Sequence, residues 1–234
     1  MINKIYKIIN NKFSRFFKFI FFLRYLFAIF FISLGLFLLI PNFFDYKKKE
    51  EFIKNYLEKN YNLKLIKIED LKFNSFPFPK LEIKGITSSY YEDEINLKAK
   101  RLNIYPKFFS LYNYNNFEVN KINFEDIDLI TNLENFKIMN DKIFQIKKKI
   151  SFKNLNISVI EKDKNIINLK KIYFLNYGSK KGKIEGEIFN KKFKLKLSDD
   201  LKKYDFKLLD SGVSFKLDKL EKKKASNFKG RLKG

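Results

Sequence analysis

From residue 63 onward, apolar residues alternate with lysine, asparagine, glutamate or serine, so that large apolar side chains recur at every second position. A period of two places successive side chains on opposite faces of an extended chain, and it is typical of strands rather than helices. The alternating segments are 63–73, 81–86, 95–104, 117–130, 150–160, 166–175, 184–197 and 204–217. The pattern predicts a mainly β domain of about eight strands, each with one apolar and one polar face.

Turns and phase slips indicate how these strands are connected and bent. Turn signals at 177–182 and 210–212 are typical of hairpins between antiparallel strands. Within 117–129 the apolar phase slips twice, from positions 117 and 119 to 122 and 124, and then to 127 and 129. Each slip requires a β-bulge to keep the apolar residues on one face, and bulges bend sheets. We therefore expect a curved antiparallel sheet, either an open groove or a half-barrel.

The apolar face of the last strands lacks a predicted cover. A sheet with one apolar face must bury it against a helix, a second sheet or a ligand, and helix-period sequence is scarce after residue 60. Closure of the sheet, an ordinary β-sandwich core and filling by lipid remain as alternatives. The candidate lipid-groove residues are Ile184, Ile188, Phe193, Leu195, Leu197, Phe206, Leu208, Val213, Phe215 and Leu217.

The run 25–44 contains no charged residue over twenty positions. At about 1.5 Å per residue its length matches a hydrocarbon core of about 30 Å, which predicts a transmembrane helix. We expect it to be retained, because it is longer than the apolar region of a signal peptide and no small-residue cleavage site follows. Next to it, residues 47–60 have helical periodicity, with apolar pairs at 52–53 and 56–57, and predict a short amphipathic helix.

These features predict four parts: a basic cytoplasmic tail (1–24), a transmembrane helix (25–44), a short amphipathic helix with its linker (45–62) and a β domain (63–234). The first 44 residues contain basic but no acidic residues, whereas acids dilute the lysines that follow the span. Moving the basic tail outward would oppose the membrane potential by roughly 2.3 kcal/mol per charge per 100 mV. The charges therefore favour a cytoplasmic N-terminus and a β domain outside the cytoplasm.

Composition excludes several functional classes. The net charge of +23 comes from 49 basic and 26 acidic residues, but only four of the basic residues are arginine and the lysines are scattered along strands, so we expect solvated faces and no nucleic-acid partner. Cysteine and histidine are absent, which removes disulfides and the commonest metal ligands and general bases. The carboxylate pairs Asp126/Asp128 and Asp199/Asp200 are interpreted as exposed strand or turn acids. We predict no enzyme activity and no catalytic residue, cofactor or metal.

The order of the parts resembles the N-terminal region of the AsmA family of Gram-negative envelope proteins. The basic tail, single span, short helix and first strand are followed by Phe76, Pro77, Phe78 and Pro79, which match the family's Phe-Pro-x-Pro turn into a strand. Its prolines fix φ and lack amide donors, so the turn cannot extend a ladder. Residues 110–113 resemble a later family turn, and 182–186 resemble its strand openings.

The chain also departs from that family. Asn62 stands near the position of the usual glycine after the first helix. Family members run to several hundred residues, whereas this chain stops in 227–234, at what looks like the opening of a further strand, so we expect a fragment.

The resemblance implies an inner-membrane protein whose periplasmic domain contributes to outer-membrane biogenesis. In that family the domain influences outer-membrane protein assembly or targeting and carries phospholipid along a hydrophobic β-groove, so membrane phospholipid and envelope proteins are the implied partners. Two alternatives stay open. One is a single-span envelope scaffold or division-type protein that binds partners by β-edge pairing, and the other is a lipopolysaccharide-export component.

Overall fold

The computed structural model describes residues 2–43, 50–75, 78–90, 95–107, 110, 117–136, 139, 146–198, 202–222 and 225–233. The chain divides into two compact units, Met1–Phe44 and Asp45–Gly234.

The first unit is one long helix, α1 (Ile2–Leu39), followed by a 3-10 turn (Ile40–Phe43). Its part Ser14–Leu39 is long and apolar enough to cross a membrane. This stretch begins earlier than the predicted span because the residues between Arg15 and Arg24 are nearly all phenylalanine, isoleucine or leucine. The helix ends before Pro41, which has no amide hydrogen to continue the hydrogen-bond ladder.

The second unit begins with α2 (Glu50–Tyr61), which confirms the predicted amphipathic helix. Its buried residues, Ile53, Leu57 and Tyr61, recur at intervals of four and form one face. Asn62 ends the helix with φ 52°, and its N–H donates to the carbonyl oxygen of Glu58 at 2.9 Å. Asparagine tolerates this left-handed conformation, which glycine most often adopts at helix ends.

Twelve strands follow and form one open, curved sheet. They are β1 (Leu63–Lys67), β2 (Asp70–Asn74), β3 (Lys80–Tyr90), β4 (Ile95–Pro106), β5 (Val119–Thr131), β6 (Lys149–Glu161), β7 (Lys164–Leu175), β8 (Lys183–Ile188), β9 (Lys191–Leu197), β10 (Lys203–Leu208), β11 (Ser214–Lys222) and β12 (Ala225–Lys233). The strand order is β1-β3-β4-β5-β6-β7-β8-β9-β10-β11-β12, and β2 pairs with the other half of β3.

The fold is mainly β, as predicted, and differs from the expectation in two details. The segments 63–73 and 184–197 each form two strands instead of one. All neighbouring strands are antiparallel except β5 and β6, which run parallel. The predicted hairpin turns at 177–182 and 210–212 connect β7 to β8 and β10 to β11.

The phase slips predicted in β5 coincide with irregularities of the sheet. At the first slip, Tyr105 pairs with Lys121 and Pro106 pairs with Val119, so Asn120 is the extra residue of a bulge. At the second slip, Asp126 has a φ of 54°. The prediction of a β-bulge is therefore confirmed at the first slip, whereas at the second slip β5 stays in register with both of its neighbours.

The second slip is part of a row that crosses four strands, which we call the crease. Each of β3, β4, β5 and β6 inserts one extra residue at this level, and neighbouring strands stay in register because all four do so. The crease positions are Gly85, Lys100, Asp126 and Asn154, and all but Lys100 have a positive φ. On both sides of the crease the buried residues therefore remain on the same face.

We expect Gly85→Ala to lower the free energy of unfolding by about 1–2 kcal/mol, because alanine disfavours a positive φ. Gly85 has φ +58°, and an added Cβ would contact the side chain of Glu69. Gly178→Ala is the matched control, since its φ is +72° and nothing lies within 4 Å of the added Cβ. Urea denaturation of the full chain in micelles measures the free energy of unfolding of both variants. An equal loss in the two variants would show that the Glu69 contact is unimportant.

Candidate functional site: an apolar groove

One row of apolar residues crosses ten consecutive strands through directly paired positions, and we call it the apolar ladder. Its members, from β3 to β12, are Ile83, Leu102, Phe124, Phe152, Phe174, Ile184, Leu195, Phe206, Phe215 and Leu232. Rings stack along the ladder, with centroid distances of 5.5 Å for Phe124–Phe152 and 6.0 Å for Phe152–Phe174. Cross-strand aromatic pairs of this kind stabilise a sheet.

Burial changes along the apolar ladder. The exposed fraction is 0% at Ile83 and only 4% at Phe174. From β8 to β11 the ladder residues are half-buried, and Leu232 on β12 is 78% exposed. The same row of side chains therefore begins as a core and ends as an open surface.

Helix α2 and the connection from β5 to β6 cover the first part of the apolar face. The hydroxyl oxygen of Tyr56 accepts a hydrogen bond from the N–H of Val119 at 3.1 Å, and the ring of Phe117 lies 5.2 Å from that of Tyr56. From the β5–β6 connection, Met139 is 6% exposed. Burial raises the pKa of Tyr61, at the end of α2, above its ordinary value.

Beyond this cover, the apolar face borders a cavity of about 210 Å³. Strands β6 to β10 supply its walls, together with Phe136 and Met139 from the β5–β6 connection. Every lining residue is apolar. We call this space the groove.

Half of the predicted groove residues line the groove: Ile184, Ile188, Phe193, Leu195 and Phe206. The other predicted residues lie beside it. Leu197 is buried, and Leu208, Val213, Phe215 and Leu217 are half-buried. Phe215 extends the lining, because its ring stacks on that of Phe206 at 4.6 Å.

The structure adds residues that the sequence prediction missed. Leu155, Ile157, Leu169 and Ile172 on β6 and β7 also line the groove. Their alternating pattern was visible in the sequence, but nothing in it indicated that β6 and β7 share one groove with β8 to β10.

The described residues of the proline-containing turn do not line the groove. Phe76 and Pro77 are outside the described residues, as are positions 111–113 of the later family-like turn. Phe78 is 70% exposed, and Pro79 precedes β3. Neither Phe78 nor Pro79 lines the groove.

Carboxylates on the polar face have structural partners. Asn154 donates to Asp126 at 2.7 Å and Asn156 donates to Asp128 at 2.9 Å. The hydrogen bond from Asn154, aided by nearby Lys100 and Arg101, holds the pKa of Asp126 below its ordinary value. Asp199 and Asp200 lie outside the described residues. Among the described residues, no group of three or more acids has the arrangement of a metal site.

Comparison with protein-family models, curated protein sequences and solved structures finds no match. In the part of the chain that the structure describes, the features that bear on function are one helix long and apolar enough to span a membrane, and an open β-sheet with a groove of apolar lining.

Proposed function

We propose that this protein is a membrane-anchored, AsmA-like lipid carrier, whose groove holds the acyl chains of phospholipids. In this proposal α1 anchors it in the inner membrane of a Gram-negative envelope, with the N-terminus in the cytoplasm and the β domain in the periplasm. The carrier would contribute to outer-membrane biogenesis and so influence the assembly or targeting of outer-membrane proteins.

The observation that carries this proposal is the change of burial along the apolar ladder. Ile83 and Leu102 are fully buried, as in a protein core, whereas Leu195, Phe206 and Phe215 on the same row are only half-buried. Soluble monomers rarely expose contiguous apolar patches of this kind unless the patch binds something. A ligand that covers this face must itself be apolar and extended along the sheet.

The chemistry of the groove favours acyl chains. Its volume of about 210 Å³ exceeds the roughly 150 Å³ of an engineered apolar cavity that binds benzene. Because every lining residue is apolar, a polar ligand would lose its hydrogen bonds with water and gain none. An acyl chain has no such cost, and each methylene that it buries contributes about 0.8 kcal/mol.

Site-specific photo-crosslinking tests this function. Benzoylphenylalanine retains a phenyl ring, so we expect it to fit at Phe206 and Phe215 and to form phospholipid adducts in cells. Lys194 and Lys207 pair with each other on the polar face and are the matched control positions, where we expect none. The measurement is mass spectrometry of the crosslinked protein. Adducts at neither groove position, or equal yields on both faces, would contradict the proposal.

A scaffold that binds partners by β-edge pairing is the second candidate. It is favoured by β12, which is the last strand of the sheet order and carries the exposed Leu232. An unpaired edge strand can accept a strand from another protein. A scaffold of this kind would retain its partner when the groove is blocked, whereas a carrier would lose its lipid.

A further inference from the structure

The two ends of the strands that form the groove carry very different charges. At one end β6 begins, β7 ends, β8 begins, β9 ends and β10 begins. The lysines at this end whose exposure the structure describes are all exposed, and we call them the basic rim: Lys147, Lys148, Lys149, Lys181, Lys183, Lys196, Lys202 and Lys203. The acids in these segments, 146–149, 175–183 and 196–203, are Asp199 and Asp200.

The opposite end of the same strands is balanced. Its segments, 159–165, 187–192 and 208–214, contain four lysines and four acids. In the β6–β7 turn the two signs alternate, through Glu161, Lys162, Asp163 and Lys164. Since the lysine content of the whole chain is high, this contrast between the two ends carries more information than the number of lysines alone.

The basic rim also contains unfavourable pairs. Lys121 lies directly opposite Lys149, and Lys183 lies directly opposite Lys196. Like charges at paired positions of a sheet destabilise it. A surface with many negative charges would remove this cost for both pairs at once.

The N-terminal end of α2 lies near the basic rim. Phe52 and Tyr56 contact Phe117, two residues before β5 begins. Lys47, Lys48 and Lys49 immediately precede α2 in the sequence. The sequence that leads into this end of α2 is therefore basic as well.

We propose that the basic rim docks on the anionic headgroups of a phospholipid bilayer, with the end of the groove at that surface. Each lysine near an anionic membrane contributes about 1 kcal/mol, or roughly fivefold in affinity. Docking of this kind depends on charge and needs no lipid inside the groove. It therefore extends the proposed function and can be tested apart from it.

Fluorescence quenching in nanodiscs tests the docking. The chain contains no cysteine, so Ser179→Cys places one label on the exposed turn of the basic rim, and Asn165→Cys places one at the opposite end. Nanodiscs contain the full chain, spin-labelled lipid as quencher, and phosphatidylcholine with or without phosphatidylglycerol. We expect strong quenching at position 179 only with phosphatidylglycerol, and loss of it at high salt, where the Debye length falls from about 10 Å at 0.1 M to about 3 Å at 1 M.

Charge variants complete the test. Replacing Lys147, Lys148, Lys181 and Lys183 by glutamine should weaken docking by roughly 600-fold, at about fivefold for each lysine. Replacing Lys162, Lys164, Lys191 and Lys192 removes the same charge from the opposite end and should leave docking unchanged. Equal quenching in both lipid mixtures, equal quenching of both labels or equal effects of the two variants would overturn the proposal. If a protein that forms no lipid crosslinks still docks, the docking proposal is supported, and only the carrier function is contradicted.

Discussion

Replacing Leu195 and Phe215 together by aspartate is expected to abolish phospholipid crosslinking while leaving the protein folded and anchored in the membrane. Both residues lie on the apolar ladder, and each pairs with Phe206, one from either side. Both are half-buried, so an introduced carboxylate can remain hydrated at the open face. A fully buried carboxylate could not, because its desolvation costs far more than a domain can supply.

The loss of crosslinking follows from the acyl chain. A hydrated carboxylate displaces methylene groups from the wall of the groove, and losing two or three of them from apolar contact costs about 2 kcal/mol. That corresponds to roughly a 30-fold decrease in affinity for the lipid. The yield of phospholipid crosslinks from benzoylphenylalanine at Phe206 measures lipid binding in cells. Protease resistance measures folding, and membrane fractionation measures anchoring.

Asn190→Asp with Ser214→Asp is the matched control. It adds the same two charges, but Asn190 is in the exposed β8–β9 turn and Ser214 pairs with Lys207 on the polar face. We expect normal crosslinking in this variant. If the Leu195 and Phe215 variant unfolds while the control folds, the face is an ordinary core. If it folds and still crosslinks, the face is not part of the lipid path.

Phe152→Ala is expected to destabilise the protein by about 3–5 kcal/mol, the range for removal of a buried phenylalanine. Phe152 is 5% exposed, and its ring stacks between Phe124 and Phe174. Phe215→Ala removes the same atoms from the same ladder, but from the half-buried part. We expect Phe215→Ala to cost only about 1–2 kcal/mol, because the Phe215 side chain buries less apolar area than that of Phe152.

Urea denaturation of the full chain in micelles, followed by circular dichroism, compares the two alanine variants. The chain has no tryptophan, so the β-sheet signal is the appropriate probe. Lipid should first be removed, since a bound ligand raises the apparent stability. Equal losses for Phe152→Ala and Phe215→Ala would mean that the ladder is uniformly buried, and the groove would then be a core.

Several elements could be predicted from the sequence because their causes are local. The helical period of 47–60 predicted α2, and Asn62 ended it as a residue that tolerates a positive φ. The phase slips in 117–129 predicted two irregularities, and these are the bulge at Asn120 and the positive φ at Asp126. The strand count was too low partly because the β8–β9 turn is made by Phe189 and Asn190, with φ of 50° and 59°. Phenylalanine is not a turn signal at a position that requires a positive φ.

Other features depend on positions far apart in the chain. Alternation does not reveal that β5 and β6 are parallel, because either direction places the same residues on the same face. Nor does it reveal that the extra residues at Gly85, Asp126 and Asn154 lie at one level. The register between strands decides both, and a single strand contains no record of it.

The sequence by itself determined which side chains share a face of the sheet, because that follows from the geometry of the extended backbone at each residue. It also determined that a helix able to span a membrane precedes the sheet. Only the tertiary structure decided where the apolar face is covered. Helix α2 and Met139 pack over the first strands, and a helix of 12 residues is about 18 Å long. Strands in a sheet lie about 4.8 Å apart, so one such helix cannot cover twelve of them, and the ladder residues from β8 to β11 are only half-buried.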